Sequence, residues 1–305
     1  MKPSCLLFAA AVTFLAQQRG PAPDPIVREG ATVKIAEHTW AIPDNNVGGV
    51  PNVGIVVGSR ATLVIDPGMG RRNGETVLKE TAKVSKNAEI YIATTHFHPE
   101  HTTGYIAFPA SAKYINAKVQ EDEFAQSGEQ MIQTFAGRSA FTADLLKDHA
   151  RRLADMTFDK EYSLDLGGVH VTFVAVGPTH TKGDIGLFVQ EDHVLFSGDV
   201  VMNESFLAAN AGSSVKAWLA SFETFDAMKP STVVPSHGPI GPGSVIAVNR
   251  GVVEAIRSRA LALKAQGKSA EEITTTVSAE IQGQHPTWPR ANGIAALVRS
   301  AYEER

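Results

Sequence analysis

The stretch Ile90-Tyr91-Ile92-Ala93-Thr94-Thr95-His96-Phe97-His98-Pro99-Glu100-His101 decides how the rest of the chain is read. Its first four residues are a short, β-rich apolar run and predict a buried strand. Its last six hold three imidazoles and a carboxylate, the densest group of metal-binding side chains in the sequence. A strand end is held rigidly by its sheet, and the turn that follows can fold several side chains onto one point, as a metal site requires. Neutral imidazole nitrogen with carboxylate oxygen suits zinc, with iron, manganese or cobalt as looser alternatives. The competing reading is an exposed polar turn whose histidines have no task, and so close a spacing speaks against it.

The chain has 305 residues, 43% of them hydrophobic and 20% charged, with a formal charge of -4. This balance argues against disorder, a polybasic nucleic-acid face and an acidic tail. Nucleic acid is therefore not an expected partner. The length suits one main α/β domain of about 200 residues with a helical annex. At the amino end Lys2 precedes the apolar run Cys5 to Ala16, and polar residues and the proline-rich stretch Pro21 to Pro25 follow. That order predicts a secretory signal peptide over residues 1–20, too short to span a bilayer comfortably. The expected protein is exported and periplasmic, with no stable membrane span after signal cleavage. Cys5, the only cysteine, lies inside that segment, so a mature chain would have neither a disulfide nor a thiolate ligand.

Working outward, strands are predicted at Thr32–Trp40, Val53–Val57 and Ala61–Ile65, the last stopped by Asp66-Pro67-Gly68. A helix over Gly74–Ser85 returns the chain for the strand Ile90–Ala93, and a short strand follows at Lys113–Ile115. Residues 117–155 lack β-branched runs and read as two helices broken near Gly137 and Arg138, with Met131, Phe135, Phe141 and Leu145 available to cover a site or to pack outside it. Strands resume at Tyr162–Leu166, Val169–Val176, Gly186–Val189 and His193–Phe196. A helix over Val215–Met228, a strand at Thr232–Val234 and then three helices from Ser244 complete the chain, with Val248, Val252, Ile256 and Ala260 as one apolar face and Trp288 as a packed anchor. Two groups of strands with helices outside imply a layered αβ/βα sandwich.

The remaining ligand types fall just past strand ends: His180 in Gly177-Pro178-Thr179-His180-Thr181, Asp199 in Ser197-Gly198-Asp199 and His237 in Pro235-Ser236-His237-Gly238. Loops at one end of the strands can bring these to one place. Each alone is an ordinary loop residue, and their order along the chain gives them weight. His38, His149, His170, His193 and His285 fall in strand interiors, hairpin edges or helical stretches and are expected outside the site.

Thr95-His96-Phe97-His98-Pro99-Glu100-His101, Gly177-Pro178-Thr179-His180-Thr181-Lys182-Gly183-Asp184, Leu195-Phe196-Ser197-Gly198-Asp199 and Ser236-His237-Gly238 together resemble the successive metal motifs of the metallo-β-lactamase superfamily, and Val64-Ile65-Asp66-Pro67-Gly68 resembles its upstream strand and loop. The resemblance implies a four-layer αβ/βα sandwich over residues 21–243, with a helical insertion at about 117–155 and a helical extension over 244–305. It implies two Zn2+ ions per chain, iron or manganese being the alternatives: His96, His98 and His180 for the first ion, Glu100, His101 and His237 for the second, and Asp199 bridging. Asp66 would orient a ligand histidine. Asp199 and Glu100 would also help to orient the nucleophile. The family's short motif has an aspartate where this chain has Glu100, one methylene longer, which puts the second ion's position in question. The implied reaction is hydrolysis, metal-bound hydroxide attacking a carbonyl of a small cyclic amide or ester, as in β-lactamases. Thioesterase and lactonase chemistry is the alternative within the family. A non-catalytic metal- or ligand-binding module and a diiron oxidoreductase, the latter as in other relatives of the superfamily, are alternatives of another class, although no Gly-rich flavin domain is visible. Association with a second copy of the chain is left open.

Overall fold

The structure is a computed structural model that describes residues 23–210 and 212–304. The expected signal peptide, with Cys5, lies outside the described residues.

The first half runs β1 (Val33–Lys34), β2 (Thr39–Ile42), β3 (Val53–Val57), β4 (Ala61–Ile65), α1 (Gly70–Val84), β5 (Glu89–Ala93), α2 (Pro99–Thr102), a 3-10 turn at Thr103–Ala107 and β6 (Lys113–Ala117). Then come α3 (Lys118–Glu123), a π turn at Phe124–Gly128, α4 (Glu129–Ala136), α5 (Ala140–Leu146) and β7 (Met156–Phe158). These seven strands form one sheet in chain order, antiparallel from β1 to β4 and parallel from β4 to β7. The second half runs β8 (Glu161–Asp165), β9 (His170–Ala175), β10 (Ile185–Val189), β11 (Val194–Gly198), α6 (Val215–Ala227), β12 (Thr232–Pro235) and β13 (Gly241–Pro242), followed by α7 (Val245–Ala265), α8 (Ala270–Gln284) and α9 (Asn292–Glu303). Its sheet has the order β13-β12-β11-β10-β9-β8.

Alternation along the strands makes the four layers. In β4, Leu63 and Ile65 enter the core between the sheets while Val64 packs outward with Val77 of α1. In β11, Phe196 points inward and Leu195 outward, toward Trp218 and Phe222 of α6. Strands buried on both faces explain why β3, β4, β5 and β11 read as continuous apolar runs. Each fully buried side chain of this kind contributes roughly 1.5–3 kcal/mol.

Several boundaries differ from expectation for identifiable reasons. Thr32–Trp40 is not one strand but a tight reversal between β1 and β2, in which the Ile35 amide donates to the Thr39 carbonyl at 2.8 Å. Ile35 and Ala36 kept the pattern apolar because they pack against the inter-sheet core even at the turn. Helix α1 starts at Gly70, not Gly74, because its free Gly70 amide finds a cap in the distant Thr103 hydroxyl at 2.9 Å. β7 and β13 were not expected; they are only three and two residues long. On α7 the buried stripe runs through Ile246, Asn249, Val253, Ile256, Ala260 and Leu263 and leaves Val248 47% exposed. Asn249 sits in that stripe because its side chain hydrogen-bonds both the amide and the carbonyl of Met202, which hid the true phase of the helix.

The β7 pairing also changes the meaning of residues 118–155. β6 and β7 are parallel neighbours, so α3, α4 and α5 lie on the crossover that a parallel pair needs. Its start is pinned. The Gln120 side-chain amide donates to the carbonyls of Thr94 and Gly183, and the Glu123 carboxylate accepts from the amides of Lys182 and Gly183. Beyond that anchor, Phe124, Ile132, Phe135, Leu145 and Leu146 make a small core with Phe97 and Met69.

Candidate metal centre

Strand β5 delivers Thr94, Thr95 and His96 to the carboxyl edge of the first sheet, where Asp66 meets them from the end of β4. The Thr95 amide and hydroxyl donate to the two Asp66 oxygens at 2.7 and 2.8 Å. Asp66 takes a left-handed backbone, φ 56°, to face them. His98 then stands at the mouth of α2, and Pro99 occupies its first position, where a fixed φ suits a helix and no amide is lost. One helical turn carries Glu100 and His101 inward. The next turn closes against the Asp66 loop: the Gly104 amide donates to the Gly68 carbonyl at 2.7 Å, and a Cβ at Gly104 would lie 2.2 Å from the Pro67 carbonyl oxygen. The turn expected after the strand is thus a short helix.

Two groups of donor atoms result, His96 with His98 and His180, and Glu100 with His101 and His237, each with its ligand atoms within 4.8 Å of one another. In the first, His98 Nδ1 lies 3.2 Å from His96 Nε2 and 3.2 Å from His180 Nε2. Nitrogens bound tetrahedrally to one zinc are separated by about 3.3 Å, given bonds of 2.0–2.1 Å. The outer nitrogens are occupied elsewhere. His180 Nδ1 meets the Ala208 carbonyl at 2.5 Å, His237 Nδ1 meets the Val50 carbonyl at 2.8 Å, and His101 Nδ1 meets Asp66 Oδ2 at 3.0 Å. Each such contact fixes the tautomer and aims Nε2 into the site.

The donor set fits a divalent cation. Glu100 Oε2, His101 Nε2 and Asp199 Oδ1 are buried with no hydrogen-bond partner, an arrangement that costs stability unless something binds them. Burial, reinforced by neighbouring histidines, holds His96, His98 and His101 well below the usual imidazole range, so they are neutral with lone pairs available. Burial pushes the Glu100 carboxyl up to about 7, and likewise Asp66, against the opposing hydrogen bonds from Thr95. Asp199 is held well below the carboxylate range, because His237, His180 and Arg290 outweigh its burial.

Asp199 follows β11 and faces the first group, its Oδ2 3.7 Å from His180 Nε2. That oxygen also receives Arg290 Nη1 at 3.3 Å. Arg290, between α8 and α9, was missed in the sequence reading. It belongs to no motif, and only the Trp288-Pro289 turn before it marked the place. The five other histidines join neither group. The site floors a cavity of about 710 Å³ lined by Phe97, Met131 and Phe135 on its apolar side and by Arg138, Lys182 and Arg290 as cations. Arg138 lies over the Phe135 ring, its guanidinium carbon 3.3 Å from the centroid. Trp288 does pack as an anchor, stacked on His285 with centroids 4.0 Å apart.

Known proteins agree with this architecture. A solved metallo-β-lactamase from Pontibacter korlensis superposes with a TM-score of 0.59 at 19% identity, covering 72% of this chain and 96% of that one. The stereoselective inverting sec-alkylsulfatase from Pseudomonas sp. superposes with a TM-score of 0.66 at 17% identity, covering 90% of this chain and 50% of that one. In sequence, a linear primary-alkylsulfatase of Pseudomonas sp. (strain ATCC 19151) is 23% identical over 253 residues, 70% of this chain and 47% of that protein. The chain thus spans about half the length of these alkylsulfatases. The family model described as the metallo-beta-lactamase superfamily matches residues 46–237, which takes in both donor groups, Asp66 and Asp199. The fold is the αβ/βα sandwich of that family, and the chain belongs to the metallo-β-lactamase superfamily.

Proposed function

We propose that the protein is an exported hydrolase that holds two metal ions and cleaves a small ester or amide bearing a negative charge. The convergence of two donor groups on the floor of one cavity carries this reading. Bound ions supply Lewis acidity and a water acidified to a pKa of about 7. His96, His98 and His180 would hold one ion, and the all-nitrogen set favours zinc. Glu100, His101 and His237 would hold the other, with Asp199 between them; the added oxygen donors also accommodate iron or manganese.

The rest of the chain positions and excludes. Asp66 and the carbonyls of Val50 and Ala208 keep three imidazoles from turning. Phe97, Met131 and Phe135 exclude water beside the donors and offer an apolar surface to the substrate. Arg138, Lys182 and Arg290 suit a carboxylate or another anionic group. A cyclic amide or ester with such a group, meeting an exported enzyme from outside the cell, fits these walls; a cytosolic glutathione thioester fits them less well. A second reading, a sulfate ester on an apolar chain, is favoured by the curated alkylsulfatase relative and by a cavity that pairs cations with apolar walls.

Zinc- and manganese-loaded protein incubated with nitrocefin, an acyl-homoserine lactone, a thioester and dodecyl sulfate tests both. Turnover of nitrocefin or the lactone is the expected result. Turnover of dodecyl sulfate alone replaces the carbonyl reading with the sulfate one. Tight binding without turnover of any of them sinks the hydrolase. Export is tested by fusing residues 1–20 to a reporter that is active only outside the cytoplasm, where an inactive fusion contradicts it.

A further inference from the structure

The three cations on the wall of the cavity are not equivalent. Arg290 is paired with Asp199, whereas among the described residues neither Arg138 nor Lys182 has an ion-pair partner. Both of the unpaired cations rise from fixed points of the backbone. Arg138 stands at the break between α4 and α5, where its amide donates to the Phe135 carbonyl at 3.0 Å and the next residue, Ser139, caps α5 by accepting from the Thr142 amide at 3.0 Å. Lys182 stands in the loop between β9 and β10, where the amides of Lys182 and Gly183 donate to the two Glu123 oxygens at 3.2 and 2.9 Å. That loop presses on α3 so closely that a Cβ at Gly183 would lie 2.5 Å from the Gln120 Cα. The Glu123 carboxylate is thus engaged by the backbone and not by the Lys182 ammonium.

An apolar layer lies between the metal donors and Arg138. The ring of Phe97 packs on His98 with centroids 5.0 Å apart and that of Phe135 does so at 6.1 Å, and both rings are buried. The Arg138 guanidinium lies on the Phe135 ring. Along this path the order is imidazole, aromatic ring, cation. A guanidinium stacked on a ring keeps the N–H groups of its edge available to a planar anion.

We infer that Arg138 and Lys182 are specificity-determining residues that bind an anionic group on the part of the substrate that is not cleaved, an apolar segment on Phe97 and Phe135 separating that group from the scissile bond. The substrate class is then an ester or amide with a carboxylate or similar anion at the far end of a hydrocarbon or aromatic spacer. An alkyl sulfate carries its only charge at the bond that breaks and would leave both cations without a partner. Both side chains are exposed, so each alone contributes modestly, and the pair facing one cavity makes the discrimination. The inference rests on the reading of the site as a metal-dependent hydrolase and adds where the charge of the substrate lies.

Calorimetric titration of the zinc-loaded full chain with hexanethiol, and with mercaptohexanesulfonate, which carries thiol and sulfonate at opposite ends of the same chain, tests it. The thiolate takes zinc, and the sulfonate reports what lies beyond the rings. In the wild type the sulfonate should improve affinity over hexanethiol about tenfold or more. Arg138→Met combined with Lys182→Met should abolish that advantage and leave hexanethiol within about threefold, whereas Arg138→Lys alone should keep most of it. Lys182→Met alone should remove part of the advantage and carries the criterion if the double variant does not fold. Lys216→Met, an exposed cation of α6 away from the cavity, should leave it intact. Equal affinity of the two thiols in the wild type, an advantage that survives the double substitution, or an equal loss in Lys216→Met overturns the inference alone. A wild type that binds neither thiol overturns the metal centre and this inference together.

Discussion

The two donor groups are built by different means. His96, His98 and His180 bring three imidazoles together from two loops with no carboxylate among them, and burial lowers His96 and His98 well below the usual imidazole range. Glu100, His101 and His237 bring a carboxyl into the group and lean on the carboxylate of Asp66, while Asp199, beside His180, carries a guanidinium. The first group needs only lone pairs aimed at one point. The second sets a carboxyl raised by burial beside imidazoles, one of them held by Asp66.

The contrast breaks most sharply at His98, whose Nδ1 is shared by both short contacts of the first group. His98→Ala should remove the metal-binding step at His96, His98 and His180 and lower turnover of any true substrate by about 10³-fold or more, read by steady-state kinetics beside a metal titration. A metal-free variant with full activity contradicts the account. Asp66→Asn acts on the other group. With the His101 tautomer no longer fixed by a carboxylate, an ion held by Glu100, His101 and His237 should lose about 10–100-fold in affinity while the step at His96, His98 and His180 persists. Equal loss in both steps would show that the two groups are not separable.

Legibility in the sequence follows the same division. His96, His98, His101, His180, Asp199 and His237 could be found because each follows an apolar strand run by a few residues, and Asp66 because it stops one. Nothing comparable marks Arg290 or Arg138. They reach the cavity through the packing of Trp288 on Phe206 and through the crossover between β6 and β7, contacts between residues remote in sequence. The start of α1 was misplaced for a related reason, its cap coming from Thr103. Val248 was assigned to the wrong face because a buried asparagine, Asn249, interrupts the apolar stripe of α7. Local pattern reveals strands and the donors beside them; long-range polar contacts remain hidden.

Smaller effects probe the supports. Trp288→Ala removes the anchor of the Arg290 loop and should destabilise the fold by about 1–2 kcal/mol, less than a fully buried tryptophan because the ring is half-buried. Urea unfolding measures this, and no change in the midpoint would detach the carboxy-terminal loop from the core. Smallest is the cap of α8. Ser269 and Glu272 form a reciprocal box, and Ser269→Ala should cost about 1 kcal/mol. Hydrogen bonds from the Ser269 amide and hydroxyl, then Lys268, hold the Glu272 carboxyl down at about 2, against an ordinary value of 4.5. A depressed carboxyl stabilises in full above 4.5 and loses its contribution as pH falls through about 2, so melting curves of wild type and variant should converge over that interval. Curves that stay parallel contradict the box.

Anomalous diffraction from crystals of the zinc-loaded protein, recorded on both sides of the zinc edge, is the most direct test of the centre itself. The account predicts one peak among His96 Nε2, His98 Nδ1 and His180 Nε2, and a second among His101, His237 and Glu100. A single peak in the second group, or zinc bound elsewhere with both groups empty, would contradict it.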